Sequence, residues 1–95
     1  MLFIIYCIDK NGSAKLRAKN RSAHINFLEQ YHSNIFAAGP ILADDCKEMT
    51  GSLLIVDFPC MEDANTFAIN DPYSIAGLFE SVSIKPWRMV FEPES

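Results

Sequence analysis

Met1 to Ile8 reads MLFIIYCI, and neither of its alternating sets (Met1, Phe3, Ile5, Cys7 and Leu2, Ile4, Tyr6, Ile8) supplies a polar face. Its β-branched and aromatic content favours a strand buried on both sides. A chain of 95 residues has one modest core and buries roughly 60–65% of the surface its unfolded form exposes. Such a strand therefore needs helices on one face and a second sheet or a partner on the other. With 49% hydrophobic residues, the chain carries more apolar surface than one small domain readily hides. A homodimer, with higher assembly left open, is the expected remedy.

The remaining chain supplies those helices and three further strands. Asp9 to Ser13 forms a turn, and Ser13 is placed to cap a short helix that runs through Lys19 on Ala14, Leu16 and Ala18. Asn20 to Ser22 interrupts it. A longer helix is expected over Ala23 to Phe36, where Leu28, Tyr31 and Ile35 recur at helical spacing and Ile25 and Phe27 widen the stripe. Phe36 to Leu42 reads as an edge or bulged strand because Pro40 removes a ladder donor. A polar connection, Ala43 to Gly51, leads to a third strand over Ser52 to Phe58, with Leu54, Val56 and Phe58 opposite Leu53, Ile55 and Asp57.

Met61, Ala64, Phe67 and Ala68 place an apolar stripe on a helix spanning Cys60 to Ile69, with Glu62 and Asp63 in its first turn. Asp71-Pro72 then restarts the chain as N-cap and first helical residue, and a short helix over Tyr73 to Leu78 ends around Gly77. Ser81 to Val90 is the last strand, and Pro86 again marks an edge or bulge. The order strand, helix, strand, strand, helix, strand is that of an α+β ferredoxin-like split βαβ fold, one domain over residues 1–95. Its four-stranded antiparallel sheet carries helices on one face. Phe3, Ile5 and other outward apolar residues would then pack sheet against sheet in a dimer.

Composition excludes several classes of function. Eight basic against twelve acidic residues give a net charge of -4 without a dense basic patch beyond the loose Lys15, Arg17, Lys19, Arg21 series, which argues against nucleic acid. The apolar runs fall far short of the roughly 20 residues that span a bilayer. No basic leader with a cleavage pattern precedes Asp9-Lys10, so no membrane partner and a cytoplasmic location are expected. Cys7, Cys46 and Cys60 are odd in number and far apart, unlike a disulfide framework or a zinc site. No metal is therefore expected through them, and the Trp87 and Met89 positions match neither a phosphate loop nor a dinucleotide fingerprint.

Chemistry concentrates in two polar clusters. His24 lies four residues before Leu28 on the buried stripe, where a neutral imidazole can exchange a proton near pH 7 or simply hydrogen-bond to backbone. Asp71 caps a helix and, beside the same cavity, can also orient an imidazolium or polarise a substrate. Arg21 suits an anionic substrate group or a pairing with Glu80. Tyr6 and Tyr73 can donate hydrogen bonds across a pocket, and Gly39, next to Pro40, permits close approach of a ligand or backbone.

The ordered set MLFIIYCIDK, Arg21-Ser22-Ala23-His24, Ala38-Gly39-Pro40, Asp71-Pro72-Tyr73, Ala76-Gly77 and Ser81-Val82-Ser83-Ile84-Lys85-Pro86 resembles the YciI-like family over essentially the whole chain. The resemblance implies dimers of the dimeric α/β-barrel type. It carries the family's active-site histidine and aspartate to His24 and Asp71; the reading of the residues themselves adds Arg21, Tyr6, Gly39, Pro40 and Tyr73 as candidate substrate contacts. It also implies cofactor-independent hydrolase, lyase or isomerase chemistry on a small cyclic or anionic metabolite. The alternative is a non-catalytic small-ligand binding or accessory dimer, or a polar cluster that only locks subunits together. Ser22 stands where the family pattern carries proline, which loosens the expected helix start, and the short connection at Ala43 to Thr50 leaves the pocket mouth more open.

Overall fold

The computed structural model describes residues 1–94. Its elements are β1 (Leu2–Asp9), α1 (Ala14–Gln30), a 3₁₀ turn (His32–Asn34), β2 (Ile35–Leu42), β3 (Met49–Asp57), α2 (Met61–Ile69), α3 (Pro72–Ile75) and β4 (Phe79–Trp87). All strand pairings are antiparallel and the sheet order is β2-β3-β1-β4, the ferredoxin-like arrangement, with β1 at the centre. Both proline-bearing strands lie at the edges, where a missing N–H costs no ladder bond.

Register decides which face each side chain takes. Phe3 pairs with Val56, Ile5 with Leu54 and Ile84, and Cys7 with Ser52. Phe3, Ile5, Cys7, Leu54 and Val56 are all buried under the helices and form the core with Phe58, Ala64, Phe67 and Ala68. Phe67 is the hinge of that packing, because its ring meets those of Phe27, Tyr31 and Phe58 at centroid distances of 5.2, 4.9 and 5.4 Å. The outward set on β1 is Leu2, Ile4, Tyr6 and Ile8, not Phe3 and Ile5 as the two-sided apolar pattern allowed. Alternation alone cannot tell the two faces of MLFIIYCI apart, and the helix stripes settle it.

The expected break at Asn20 to Ser22 does not occur. α1 continues through it, with the Asn20 side chain donating to the Leu16 carbonyl at 2.9 Å. Ser22 is mid-helix and keeps the backbone N–H that a proline would remove. The helix also ends earlier than Phe36, which lies in β2. The cause of the first difference is the inward stripe. Only Arg17 and His24 of α1 are fully buried, so its N-terminal half faces the interior through polar groups, and apolar periodicity misses it.

The last strand likewise stops at Trp87, short of Val90, and β3 begins at Met49, earlier than Ser52. Gly51, inside β3, is there by necessity: a Cβ would run into the Cys7 carbonyl oxygen of the neighbouring strand. Asp71 caps α3 by accepting from the Tyr73 N–H at 2.9 Å, with Pro72 at the first turn, as the Asp-Pro pair implies. No helix among the described residues is long and apolar enough to cross a membrane.

Candidate active site

The α3 cap brings Asp71 beneath α1. His24 Nδ1 stands 2.9 Å from Asp71 Oδ1, the same oxygen that accepts the Tyr73 amide, and both side chains are buried. An ionised carboxylate only accepts hydrogen bonds, so in the neutral form of the ring it is Nδ1 that carries the proton and Nε2 that is left bare. Nε2 has no hydrogen-bond partner among the described residues. Among the described residues no buried side-chain nitrogen or oxygen lacks a hydrogen bond, so Nε2 must open on the cleft that His24 lines. The Tyr73 ring stacks on the imidazole at 4.0 Å and 15°, an aromatic contact that adds to the carboxylate bond in fixing the ring plane.

Arg17, seven residues before His24 on the same helix face, forms the second wall. Its Nε donates to Asp9 Oδ2 at 2.8 Å, and its Nη2 donates to Asp9 Oδ1 at 3.0 Å, to the Gly51 carbonyl at 2.8 Å and to Ser52 Oγ at 2.9 Å. Its guanidinium carbon lies 4.7 Å from the Tyr73 ring centroid. Burial disfavours the Arg17 charge, but the hydrogen bonds and charge of Asp9, with a smaller contribution from the Tyr73 phenol, outweigh that penalty and raise its already high pKa. Removing one member of such a buried pair typically costs about 3–5 kcal/mol, because the other charge is left uncompensated.

These walls enclose a cleft of about 220 Å³ between α1, α3 and the β2-β3 edge of the sheet. That is room for one small ring and its substituents, below the roughly 300–1,000 Å³ of sites for larger ligands. Of the residues singled out in the sequence, His24, Arg21, Gly39, Pro40 and Tyr73 line it, while Asp71 supports it from behind His24. Ala38 and Pro40 share the cleft face because they pair with Leu54 and Ser52, and Gly39 presents backbone. Arg21 is exposed on α1 at the cleft, and the ion pairs among the described residues do not join it to Glu80. Tyr6 lies on the opposite face of the sheet, 45% exposed and away from the cleft.

Arg17, Asp9 and Ser52 are the site residues that sequence reasoning missed. Arg17 reads as one of a loose basic series and Asp9 as part of a turn, yet the seven-residue interval from Arg17 to His24 is two helical turns and places both on one face. Cys7, beneath the site, has its thiol pushed up to about 12, first by burial and then by the Asp71 charge, so it stays protonated and is no nucleophile. Cys60 caps α2 from an exposed position without a side-chain hydrogen bond. No cluster of three or more His, Cys, Asp or Glu side chains suited to a metal occurs among the described residues.

A family model described as the YCII-related domain matches residues 1–88. The chain is 39% identical to Protein YciI of Escherichia coli O6:H1 and of Shigella flexneri, over 96% of this chain and 100% of each relative. It is 31% identical to an uncharacterised protein of Haemophilus influenzae over the same shares. Among solved structures it superposes with a TM-score of 0.85 and 38% identity on 5-chloro-2-hydroxyhydroquinone dehydrochlorinase (TftG) from Burkholderia phenoliruptrix AC1100 in complex with 2,5-dihydroxybenzoquinone. That match covers 93% of this chain and 94% of the other.

Burial also raises the Tyr73 phenol above its ordinary range, and the Arg17 and Arg21 charges, which favour the phenolate, offset only part of the rise. A raised pKa in the folded state means that the folded chain holds this proton more tightly than the unfolded one. The contribution is therefore complete below the ordinary phenol value of about 10 and is lost as pH rises through the folded value. Urea unfolding of wild type and Tyr73→Phe from pH 8 to pH 11 should show the wild type's stability, relative to the variant, constant at first and then declining. A difference that stays flat or grows above pH 10 would contradict the assignment.

Proposed function

The chain belongs to the YCII-related family, and from that premise we propose that it is a cofactor-independent acid–base enzyme acting on a small cyclic, acidic or anionic metabolite. The observation that carries the proposal is the 2.9 Å bond from His24 Nδ1 to Asp71 Oδ1, which leaves Nε2 as the base at the cleft. His24 removes a proton from an O–H or C–H of the ligand. The Asp71 carboxylate, fixed by its cap bond to Tyr73, holds the resulting imidazolium in place, and the same nitrogen later returns the proton. Tyr73 orients the ring plane, and Arg21, Gly39 and Pro40 contact the substrate.

The superposition on a dehydrochlorinase bound to a dihydroxybenzoquinone favours lyase-type proton abstraction on an oxygenated ring over hydrolysis. The cleft volume agrees with a single ring. Nuclear magnetic resonance in deuterium oxide, applied to a panel of hydroxylated hydroquinones and small lactones, reads both proton exchange and turnover. Wild type should accelerate exchange in at least one class, and His24→Gln should slow it by about 10²–10⁴-fold. Asp71→Asn, which keeps much of the cap while losing the charge, should fall between them. Binding without exchange or turnover, or exchange untouched by His24→Gln, would support the non-catalytic binding reading.

We further propose that two chains pack sheet against sheet. The open face of the sheet carries Ile4, Tyr6, Ile8, Leu53 and Ile55, with Tyr6 paired to Leu53 and Ile4 to Ile55, and a contiguous apolar face is uncommon on a monomer. Sedimentation should give twice the chain mass for wild type and one chain mass for Leu53→Glu. A monomeric wild type would contradict the dimer.

A further inference from the structure

We infer that Arg17, through its Nη1 edge, holds the ligand oxyanion formed when His24 takes the proton, which makes the cleft a site for small planar phenols and enols. The inference rests on the reading of His24 as the base and adds the chemical class of the substrate. A guanidinium offers five N–H donors. In Arg17 the Nε and Nη2 donors are committed to Asp9, Gly51 and Ser52, no hydrogen bond among the described residues involves Nη1, and the Tyr73 phenol, which also faces the guanidinium, shares the cleft side with it. Since no buried nitrogen or oxygen among the described residues lacks a partner, Nη1 is not sealed in the protein, and the cleft is the opening that Arg17 lines.

The committed edge has a second consequence. Two bonds to Asp9 and one to a backbone carbonyl hold the guanidinium plane in place before any ligand arrives, so its two remaining N–H groups are preorganised donors in a mostly buried setting. Arg21 is also cationic, but it is exposed and its attraction is weakened by solvent.

Charge balance identifies the ligand form. The ionisable groups around Nη1 are Asp9, Asp71, Arg21, His24, Tyr73 and the buried Cys7 thiol, and with His24 neutral the two carboxylates balance the two guanidiniums. Proton transfer breaks a ligand O–H or C–H bond, forms an Nε2–H bond and leaves the electron pair on the ligand as a phenolate or enolate. Each charge created then meets a fixed opposite one: the imidazolium meets Asp71, and the oxyanion meets Arg17 Nη1. A carboxylic acid or phosphate would arrive already ionised and leave His24 without its acidic proton, whereas a phenol or enol supplies both the proton and the stabilised anion.

The probe is 4-nitrophenol, whose ionisation is read directly by absorbance, with 4-nitroanisole as its neutral counterpart. Wild type should bind 4-nitrophenolate better than 4-nitroanisole and lower the apparent pKa of the bound phenol. Arg17→Lys, which keeps the charge but loses the fork, should weaken phenolate binding about tenfold with little effect on 4-nitroanisole, in line with the loss of a charge-assisted hydrogen bond. Arg21→Met should weaken it by no more than about threefold, as for an exposed charge. Absence of phenolate binding, an unshifted or raised phenol pKa in wild type, or loss confined to Arg21→Met would overturn the inference. If the Arg17 variant fails to fold, the wild-type pKa shift and its persistence in Arg21→Met together keep the inference testable, and a shift abolished by Arg21→Met overturns it. The two readings fail separately: a failed acid–base assignment shows as proton exchange untouched by His24→Gln, and a failed Arg17 assignment shows here as phenolate binding untouched by Arg17→Lys.

Discussion

One carboxylate oxygen ties this molecule together. Asp71 Oδ1 accepts the Tyr73 amide, which starts α3, and the His24 imidazole, which projects from the middle of α1. The first bond is worth about 1 kcal/mol as a helix cap. The second joins segments 47 residues apart and orients a side chain whose chemistry depends on which nitrogen holds the proton. Because the two bonds share an acceptor, the short helix cannot shift without turning the imidazole, and Tyr73, stacked on that ring, moves with both. Local structure and site geometry are one constraint here.

The buried Arg17-Asp9 pair extends the same logic across the sheet. Arg17 reaches from α1 to the end of β1 through Asp9, and to β3 through Gly51 and Ser52. Two ionised groups taken out of water are a weak source of net stability compared with apolar packing of the same volume. Their value lies in placement: the pair fixes the depth of α1 over the sheet at the end where the aromatic packing of Phe67 with Phe27, Tyr31 and Phe58 no longer reaches. The domain thus has an apolar half that supplies cohesion and a polar half that supplies geometry.

This division explains what the sequence discloses. Strand and helix order, the edge placement of both proline strands, the α3 cap at Asp71-Pro72 and the inward direction of His24 all follow from periodicity and turn chemistry, and the ferredoxin-like sheet follows from their order. Apolar periodicity fails where the buried stripe is polar. That is why the apolar pattern breaks at Asn20 to Ser22 and why Arg17 stands out only as one of a loose basic series, although its interval from His24 carries the signal. The two faces of MLFIIYCI are equally apolar, so only the pairing of Phe3 with Val56 and of Tyr6 with Leu53 distinguishes the core from the open side. That pairing also places Tyr6 away from the cleft.

The central claim is that Asp71 fixes the tautomer of His24 so that Nε2 is the base at the cleft. Long-range ¹⁵N–¹H correlation spectra of the imidazole rings measure this directly, and Asp71→Asn assigns the signal. For the neutral ring of His24 the account requires a protonated Nδ1 and a bare Nε2, with that pattern altered in the variant. A proton resident on Nε2, or a pattern indifferent to Asp71, would contradict it.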